Sequence, residues 1–512
     1  MSSLSAITID ALVLAAAAVV LYTINRRQKH NSPPYPPGPK GLPILRNLLD
    51  VPRETPWFTY AKWKKQYGDV VSIKVLSNTI VLLQSAEAAR ELLDNRRTIY
   101  SDRPPLPSEM SHWEWPLPTA RANDQWRTER RAIERSLGPS AIVRYEPMQK
   151  RKAHEFLKRL HSTPELFLSH IEHLQGSIIM AFIYGYDVKD HNDKYLDIAK
   201  EFGALAPSLV QSGIQLLMNS LPFAAYLPEW LPGMNFRKLA RESYAVGENL
   251  INAPIEFVKE AMEKGTAHPS MALDDLPECK TKQEERRVAT ALGSLHMAAA
   301  DTMVSTVSSF FLMLLLYPDV QKRAQAELDS VVGTGLLPDF TDRARLPYID
   351  ALCKELLRWR VASPQGMRLP HATTEDDIYE GYFIPKGAVV IANAWAILHD
   401  PALYPDPEAF KPERFLNAKG EVIDDPLLSI VFGYGRRICP GRHIVDTTLF
   451  IVVSYLLSTF NVTKAKDAFG NEIPVNDEYV GNQIVQPVPF KCSITPRNAY
   501  AEDLISAPVL VA

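Results

Sequence analysis

The period of apolar and polar positions changes along the chain and separates helical from sheet-like stretches. Residues 70–83 alternate loosely about Ser77 and Asn78, which predicts a two-stranded hairpin, and Ser85 then opens a helical stretch to Asn95. Residues 120–263 are mostly helical in period and are broken by proline-rich turns such as 221–232. Residues 281–317 contain no proline and, at ~1.5 Å per residue, predict a single helix about 55 Å long. After Ser363 short β-like runs and long irregular connections take over, among them 378–391 and 401–416. No repeat and no second linker divides the chain. The expected fold class is mainly α with small β-sheets, and the expected catalytic unit is residues 46–512.

Two stretches are apolar enough to cross a bilayer. Residues 6–24 are interrupted only by Asp10 and two threonines and span about 28 Å, against a hydrocarbon core of ~30 Å. No positive charge precedes this run, and Arg26, Arg27 and Lys29 follow it, so residues 1–30 are expected to be a single transmembrane anchor with the bulk of the protein cytosolic. A cleaved or loosely buried terminal helix is the competing reading. The closely spaced prolines of residues 31–45 predict an extended hinge. The second stretch, 288–317, has Asp301 as its only Asp, Glu, Lys or Arg, but Ser294, Thr302, Ser305, Thr306, Ser308 and Ser309 suit a helix through a protein core better than one facing lipid.

Composition narrows the classes. Hydrophobic residues make up 46% of the 512 and charged residues 22%, which excludes a disordered, collagenous or coiled-coil chain. A net charge of −3 excludes a strongly basic nucleic-acid binder. The 4 cysteines, Cys279, Cys353, Cys439 and Cys492, are too scattered for a disulfide framework or a paired zinc site, so cysteine chemistry must rest on single thiols.

The sharpest local signal is F-G-Y-G-R-R-I-C-P-G from Phe432 to Gly441. A glycine-rich turn around one cysteine, followed by an apolar helical run over 444–457, presents a thiolate to something large and electron-poor while backbone N–H groups can donate to the sulfur. Taken alone it also suits a buried structural cysteine. With Phe432, Gly435, Arg437, Cys439 and Gly441 in place it resembles F-x-x-G-x-R-x-C-x-G, the haem-thiolate signature of the cytochrome P-450 superfamily. The resemblance covers about Pro33 to Arg497. It implies the cytochrome P-450 fold, with haem b held between a long central helix and the cysteine loop. It also implies Cys439 as the axial ligand of the haem iron, with Phe432, Gly435 and Arg437 binding the cofactor.

Further motifs follow in the order that the resemblance implies. Glu355 and Arg358 form E-x-x-R, and P-E-R-F supplies Arg414; in the family these make a buried cluster behind the haem. Trp126 and Arg130 in W-R-T-E-R correspond to donors to a haem propionate, as does His371 in P-Q-G-M-R-L-P-H, with Arg368 as the alternative there. A-A-A-D-T-M, Ala298 to Met303, is similar to the family's oxygen-groove pattern, in which Asp301 and Thr302 are the catalytic proton relay. Ala299 stands where glycine is usual, which bears on how far the helix opens; Met303 replaces a second hydroxyl and removes one water anchor. Within the superfamily the finer motifs, including H-W-E-W at His112 to Trp115, resemble fungal microsomal enzymes of secondary metabolism related to O-methylsterigmatocystin oxidoreductase.

The resemblance therefore implies a monooxygenase of the endoplasmic reticulum membrane that inserts one oxygen atom of O2 into a C–H bond of an apolar small molecule, a terpenoid-like skeleton being favoured. Electrons would come from NADPH through an FAD/FMN reductase, with cytochrome b5 as a second candidate donor. Two other readings remain open at this point. One is a haem-thiolate isomerase, dehydratase or peroxygenase needing no reductase, against which Asp301 and Thr302 argue. The other is a non-catalytic membrane-anchored haem protein, for which an oxygen groove has no purpose. Substrate-facing residues are expected in 100–119, at Ala298 and Ala299, and in 361–367 and 479–483. Arg127, Arg131 and Arg135 fall at i, i+4, i+8, about 100° from the Trp126–Arg130 face, and form the expected reductase-docking stripe.

Overall fold

The computed structural model describes residues 33–52, 54–106, 116–209, 220, 236–365, 369–481 and 483–508; the expected anchor, the H-W-E-W motif, the turn at 221–232 and Arg368 lie outside the described residues. After α1 (Pro56–Tyr67) the hairpin forms as β1 (Val70–Val75) and β2 (Asn78–Leu83), antiparallel, with Val70 opposite Leu83 and Val75 opposite Asn78. Both strands are buried on nearly every residue, so their alternation is weak in sequence. Ser85 caps the following helix by accepting from the Ala88 N–H at 3.2 Å, but residues Arg90–Asn95 widen into a π-helical turn.

The helices that build the body are α2 (Asp124–Leu137), α3 (Glu146–Ser162), α4 (Phe167–Tyr184), α5 (Lys194–Leu209) and α6 (Phe236–Glu263), followed by α7 (Lys282–Ala299), α8 (Thr302–Leu316), α9 (Pro318–Val331), α10 (Pro347–Trp359) and, late in the chain, α11 (Arg442–Thr459). The expected single helix over 281–317 is therefore two. A Thr281–Glu284 capping box starts α7, helical bonding lapses at Ala300 and Asp301, and it resumes where the Ser305 N–H donates to Asp301 O at 3.1 Å. From Met303 to Leu315 every residue of α8 is buried, which explains an apolar run without a polar face. The most apolar window of the α7–α8 stretch is 72% buried within the protein, as a core element should be.

The main core joins Phe310, Phe311 and Leu314 of α8 to Leu352 and Leu356 of α10, Phe450 and Leu457 of α11, Phe156 of α3 and Ile171 of α4. A second layer is a four-stranded sheet in the order β1-β2-β4-β3, made with β3 (His371–Ala372) and β4 (Val389–Ala392). Here β2 runs parallel to β4, with Leu83 opposite Ala392, and His371 pairs antiparallel with Val390. This pairing carries His371 from a position remote in sequence to the edge of the central cavity.

Glu355 and Arg358, one turn apart on α10, are both 0% exposed and pair in a two-pronged contact, Arg358 Nε to Glu355 Oε2 at 2.7 Å and Arg358 Nη2 to Oε1 at 2.9 Å. The remaining Arg358 donors reach the Leu398 carbonyl at 2.9 Å and the Pro407 carbonyl at 2.8 Å, while Arg414 Nε and the Lys411 N–H approach Glu355 Oε1 at 3.3 and 2.9 Å. The cluster thus ties α10 to the irregular chain of 398–416, which has few regular backbone bonds of its own. Glu355→Ala would strand the Arg358 charge in the core. A destabilisation of about 3–5 kcal/mol in chemical denaturation is expected, with loss of haem uptake on expression.

Candidate active site

The cysteine loop is built by its backbone. The Cys439 N–H donates to the Phe432 carbonyl at 2.7 Å, closing the turn, and the Arg437 N–H donates to Tyr434 O at 3.0 Å. Gly435 has φ +52, its N–H donates to Asp94 Oδ1 at 2.6 Å, and a Cβ there would sit 2.3 Å from the Leu93 carbonyl oxygen, so no side chain fits. The motif glycine therefore records the seating of this loop on the π-helical turn at Arg90–Asn95. Cys439 is half-buried as a residue and its side chain lines a cavity of about 250 Å³. Burial raises the thiol's pKa, and the N–H groups of Gly441 and Arg442 with the charges of Arg130 and Arg442 oppose that rise.

Four basic groups line the same cavity, Arg103, Arg130, His371 and Arg437, and no carboxylate does among the described residues. Arg437 is spent on carbonyls, Nε to Ser101 O at 2.8 Å, Nη1 to Leu117 O at 3.2 Å and Nη2 to Ala120 O at 2.7 Å, and its guanidinium lies 3.9 Å from the centre of the Trp126 ring. Burial and the neighbouring Arg103 push its pKa down to about 8, and burial pushes Arg103 down to about 10. The nearest acid, Asp102, is already held by Arg121 Nε at 2.8 Å and the Ala122 N–H at 2.9 Å. Arg130 pairs with Glu134, Nε to Oε1 at 2.7 Å, but Arg103 and Arg437 have only carbonyls as hydrogen-bond partners, so a cavity with a thiol, apolar walls and these cations suits a large apolar ligand that brings negative charge. Haem, with its macrocycle and two propionates, fits this donor set: Cys439 would hold the iron, and Arg103, Arg130, Arg437 and His371 would face the propionates.

The other expected site residues fall as follows. Phe432 and Thr302 line the cavity, and Arg130 reaches across to donate to the Ile438 carbonyl beside the cysteine. Trp126 is buried at the cavity wall, but its indole N–H donates to Leu117 O at 3.2 Å, so its donor is engaged within the protein. His371 Nδ1 lies 2.7 Å from the Tyr100 carbonyl, which can only accept; the neutral ring therefore turns a lone pair, not a proton, outward at Nε2. Burial, then Arg103 and Arg437, hold its pKa down at about 3, and a bound carboxylate would act in the opposite direction. Asp301 does not face the haem cavity. It opens onto a second, more polar cavity with Glu172, His173, Lys200 and Gln483, which meets the first at Pro118, Ala298 and Leu369. Asp301 is exposed to that recess, where partial desolvation by the cavity walls and the Glu172 carboxylate raise its pKa.

Of the stretches expected to face substrate, Leu117, Pro118, Ala298, Val361, Ala362, Ser363 and Gln365 line the haem cavity. Ala299 does not, and the Tyr479 hydroxyl is turned to Ser309 Oγ at 2.9 Å. Arg103 also lines the haem cavity and falls within the expected 100–119 stretch, but is not singled out as a cation: S-D-R-P carries no periodic or motif signal, and its 7% exposure beside Pro118 and Leu369, whose carbonyls it donates to, reveals it.

A haem-thiolate enzyme is the class that this fold and site define. The family model for cytochrome P-450 matches residues 36–482, and the chain belongs to that family. It is 39% identical over 473 residues to the cytochrome P-450 monooxygenase claR of Ampulloclitocybe clavipes, covering 92% of this chain and 88% of that protein. It is 38% identical to the cytochrome P-450 monooxygenase COX2 of Coprinopsis cinerea over 98% of this chain and 97% of the other, and 36% identical to the cytochrome P-450 monooxygenase 208 of Postia placenta over 97% and 98%. The protein is thus an oxidoreductase, a monooxygenase of the haem-iron type that uses O2 and electrons from a redox partner.

Cys439→Ala should abolish the red-shifted Soret band of the reduced carbonyl complex, whereas Cys353→Ala and Cys492→Ala should keep it; retention of the band in the first variant would remove Cys439 from the iron.

Proposed function

We propose that this monooxygenase hydroxylates an apolar secondary metabolite, a terpenoid-like skeleton, while anchored by residues 1–30 in the endoplasmic reticulum membrane with residues 46–512 in the cytosol and residues 31–45 as the hinge. When bound, thiolate-ligated haem activates O2 for insertion into a C–H bond. The chain's own part is to exclude water, orient the substrate and deliver protons. Leu295, Ala298, Met303, Val361, Leu369 and Ile133 supply apolar walls that favour a hydrocarbon substrate.

The observation that carries the reading is the arrangement at the break between α7 and α8. Thr302 borders the haem cavity and its neighbour Asp301 the polar one, so the acid can take a proton from the solvated side while the hydroxyl hands one on at the oxygen side. The raised pKa of Asp301 brings its carboxyl nearer to neutral pH, where exchange in both directions is easier. Thr302→Ala is expected to leave the carbonyl spectrum intact and raise the peroxide released per NADPH consumed; unchanged coupling would mean a relay that bypasses this hydroxyl.

Electrons are proposed to come from NADPH through an FAD/FMN reductase, with cytochrome b5 as a second donor. On α2, Trp126, Glu129 and Ile133 are buried, whereas Arg127, Arg131 and Arg135 are exposed on the opposite side. Among the described residues Arg127 pairs with Asp124, whose side chain is 96% exposed, so the stripe stays available to an acidic partner. Arg127→Glu with Arg131→Glu should slow the first electron transfer and flatten its dependence on ionic strength, with haem content unchanged, because such steering is screened over ~10 Å at 0.1 M salt. An unaltered rate would make the stripe plain solvated surface.

A further inference from the structure

The central helix is open at a sequence that should keep it closed. Ala298, Ala299 and Ala300 have the highest helix propensity of any residue, about 1 kcal/mol better than glycine, and a continuous helix would bond the Ala299 carbonyl to the N–H of residue 303. Helical bonding nonetheless lapses between Ala299 and Thr302. At that carbonyl stands a side chain from another helix: Gln175 Nε2 of α4 donates to Ala299 O at 2.8 Å, from a side chain only 6% exposed. From these contacts we infer that Gln175 is a positioning residue that holds the α7–α8 break open in place of the usual glycine and so keeps Thr302 at the haem cavity. The inference rests on the relay reading of Thr302.

Three observations bear on it. A side chain inserted into the i to i−4 ladder is one of the few physical causes of a sharp helix break, and proline and glycine, two of the others, are absent from residues 294–317. The donor is itself held: Ile171, Leu174 and Ile178 of α4 pack in the same core as Met303, Val304 and Val307 of α8, so Gln175 cannot follow the carbonyl if the helix tries to close. Just beyond the break, the Thr306 hydroxyl donates back to Thr302 O at 3.2 Å, a contact of the kind that weakens and often bends helices. A freed carbonyl in a buried setting costs free energy unless it finds a donor, and Gln175 is the donor found there.

The test uses the full-length haem-loaded enzyme. Gln175→Leu keeps the bulk and removes the donor. Amide hydrogen exchange at residues 302–304 should slow by about 2- to 12-fold as the ladder closes, the range that one net hydrogen bond supports. Peroxide released per NADPH should rise while the reduced carbonyl spectrum stays as in the parent. Adding Ala299→Gly in that background should reverse both changes by about 5-fold, because glycine opens the turn by itself. If Gln175→Leu fails to take up haem, Gln175→Met answers the same question, since a thioether side chain of similar length has no N–H or O–H to donate. Unchanged exchange in whichever variant folds, or failure of Ala299→Gly to reverse the change, overturns the inference. Should Thr302→Ala leave coupling untouched, the relay reading falls alone, because the exchange measurement still reports whether Gln175 opens the helix.

Discussion

Buried positive charge without a counter-charge is the constraint around which the active-site side of this molecule is arranged. Arg437 and Arg103 satisfy their donors with backbone carbonyls, those of Ser101, Leu117 and Ala120 and of Pro118 and Leu369, whereas Arg130 divides its donors between the Ile438 carbonyl and the exposed Glu134 carboxylate, Nε to Oε1 at 2.7 Å. Carbonyl dipoles fill the hydrogen-bonding sites of a guanidinium but leave its net charge in place, so burial remains unfavourable until an anion arrives. Each arginine meanwhile draws the loops it touches towards one cavity. The segment after Tyr100, the approach to α2, the connection before β3 and the cysteine loop share no sheet or helix, and these charge-assisted bonds hold them together.

The Glu355 cluster solves the opposite problem on the other side of the core. There Arg358 faces the Glu355 carboxylate directly, and four of its N–H donors are engaged within the protein. One buried ionic group finds its counter-charge within the protein, whereas Arg103 and Arg437 are matched to carbonyl dipoles. That difference separates a structural element from a binding site more clearly than burial does, because Arg358 and Arg437 are both held away from bulk solvent.

The opening of the central helix is a third balance. Intrinsic propensity favours closure through three alanines, and one hydrogen bond from α4 opposes it. Energies of about 1 kcal/mol on each side make the break adjustable, which suits a position where substrate, oxygen and protons must pass in turn.

Features whose physical cause lies within a few residues were legible in the chain itself. The hairpin about Ser77 and Asn78, the pairing of Glu355 with Arg358 one turn later and the glycine-bearing turn at Cys439 all depend on local spacing, which a linear pattern preserves. Features caused by contacts across the fold were not. The helix break at Ala300 and Asp301 contradicts local propensity because its cause, Gln175, lies 124 residues away. Arg103 carries no motif, and the Trp126 indole, which the family resemblance pointed at a propionate, is engaged by the Leu117 carbonyl. Periodicity marked the main helical and sheet-like stretches, and the resemblance of residues 432–441 to the haem-thiolate signature marked Cys439 as the iron's ligand. Tertiary packing alone decided which cations share the cavity, where the central helix opens and which way Asp301 and Thr302 face, because desolvation and hydrogen-bond competition exist only once distant segments meet.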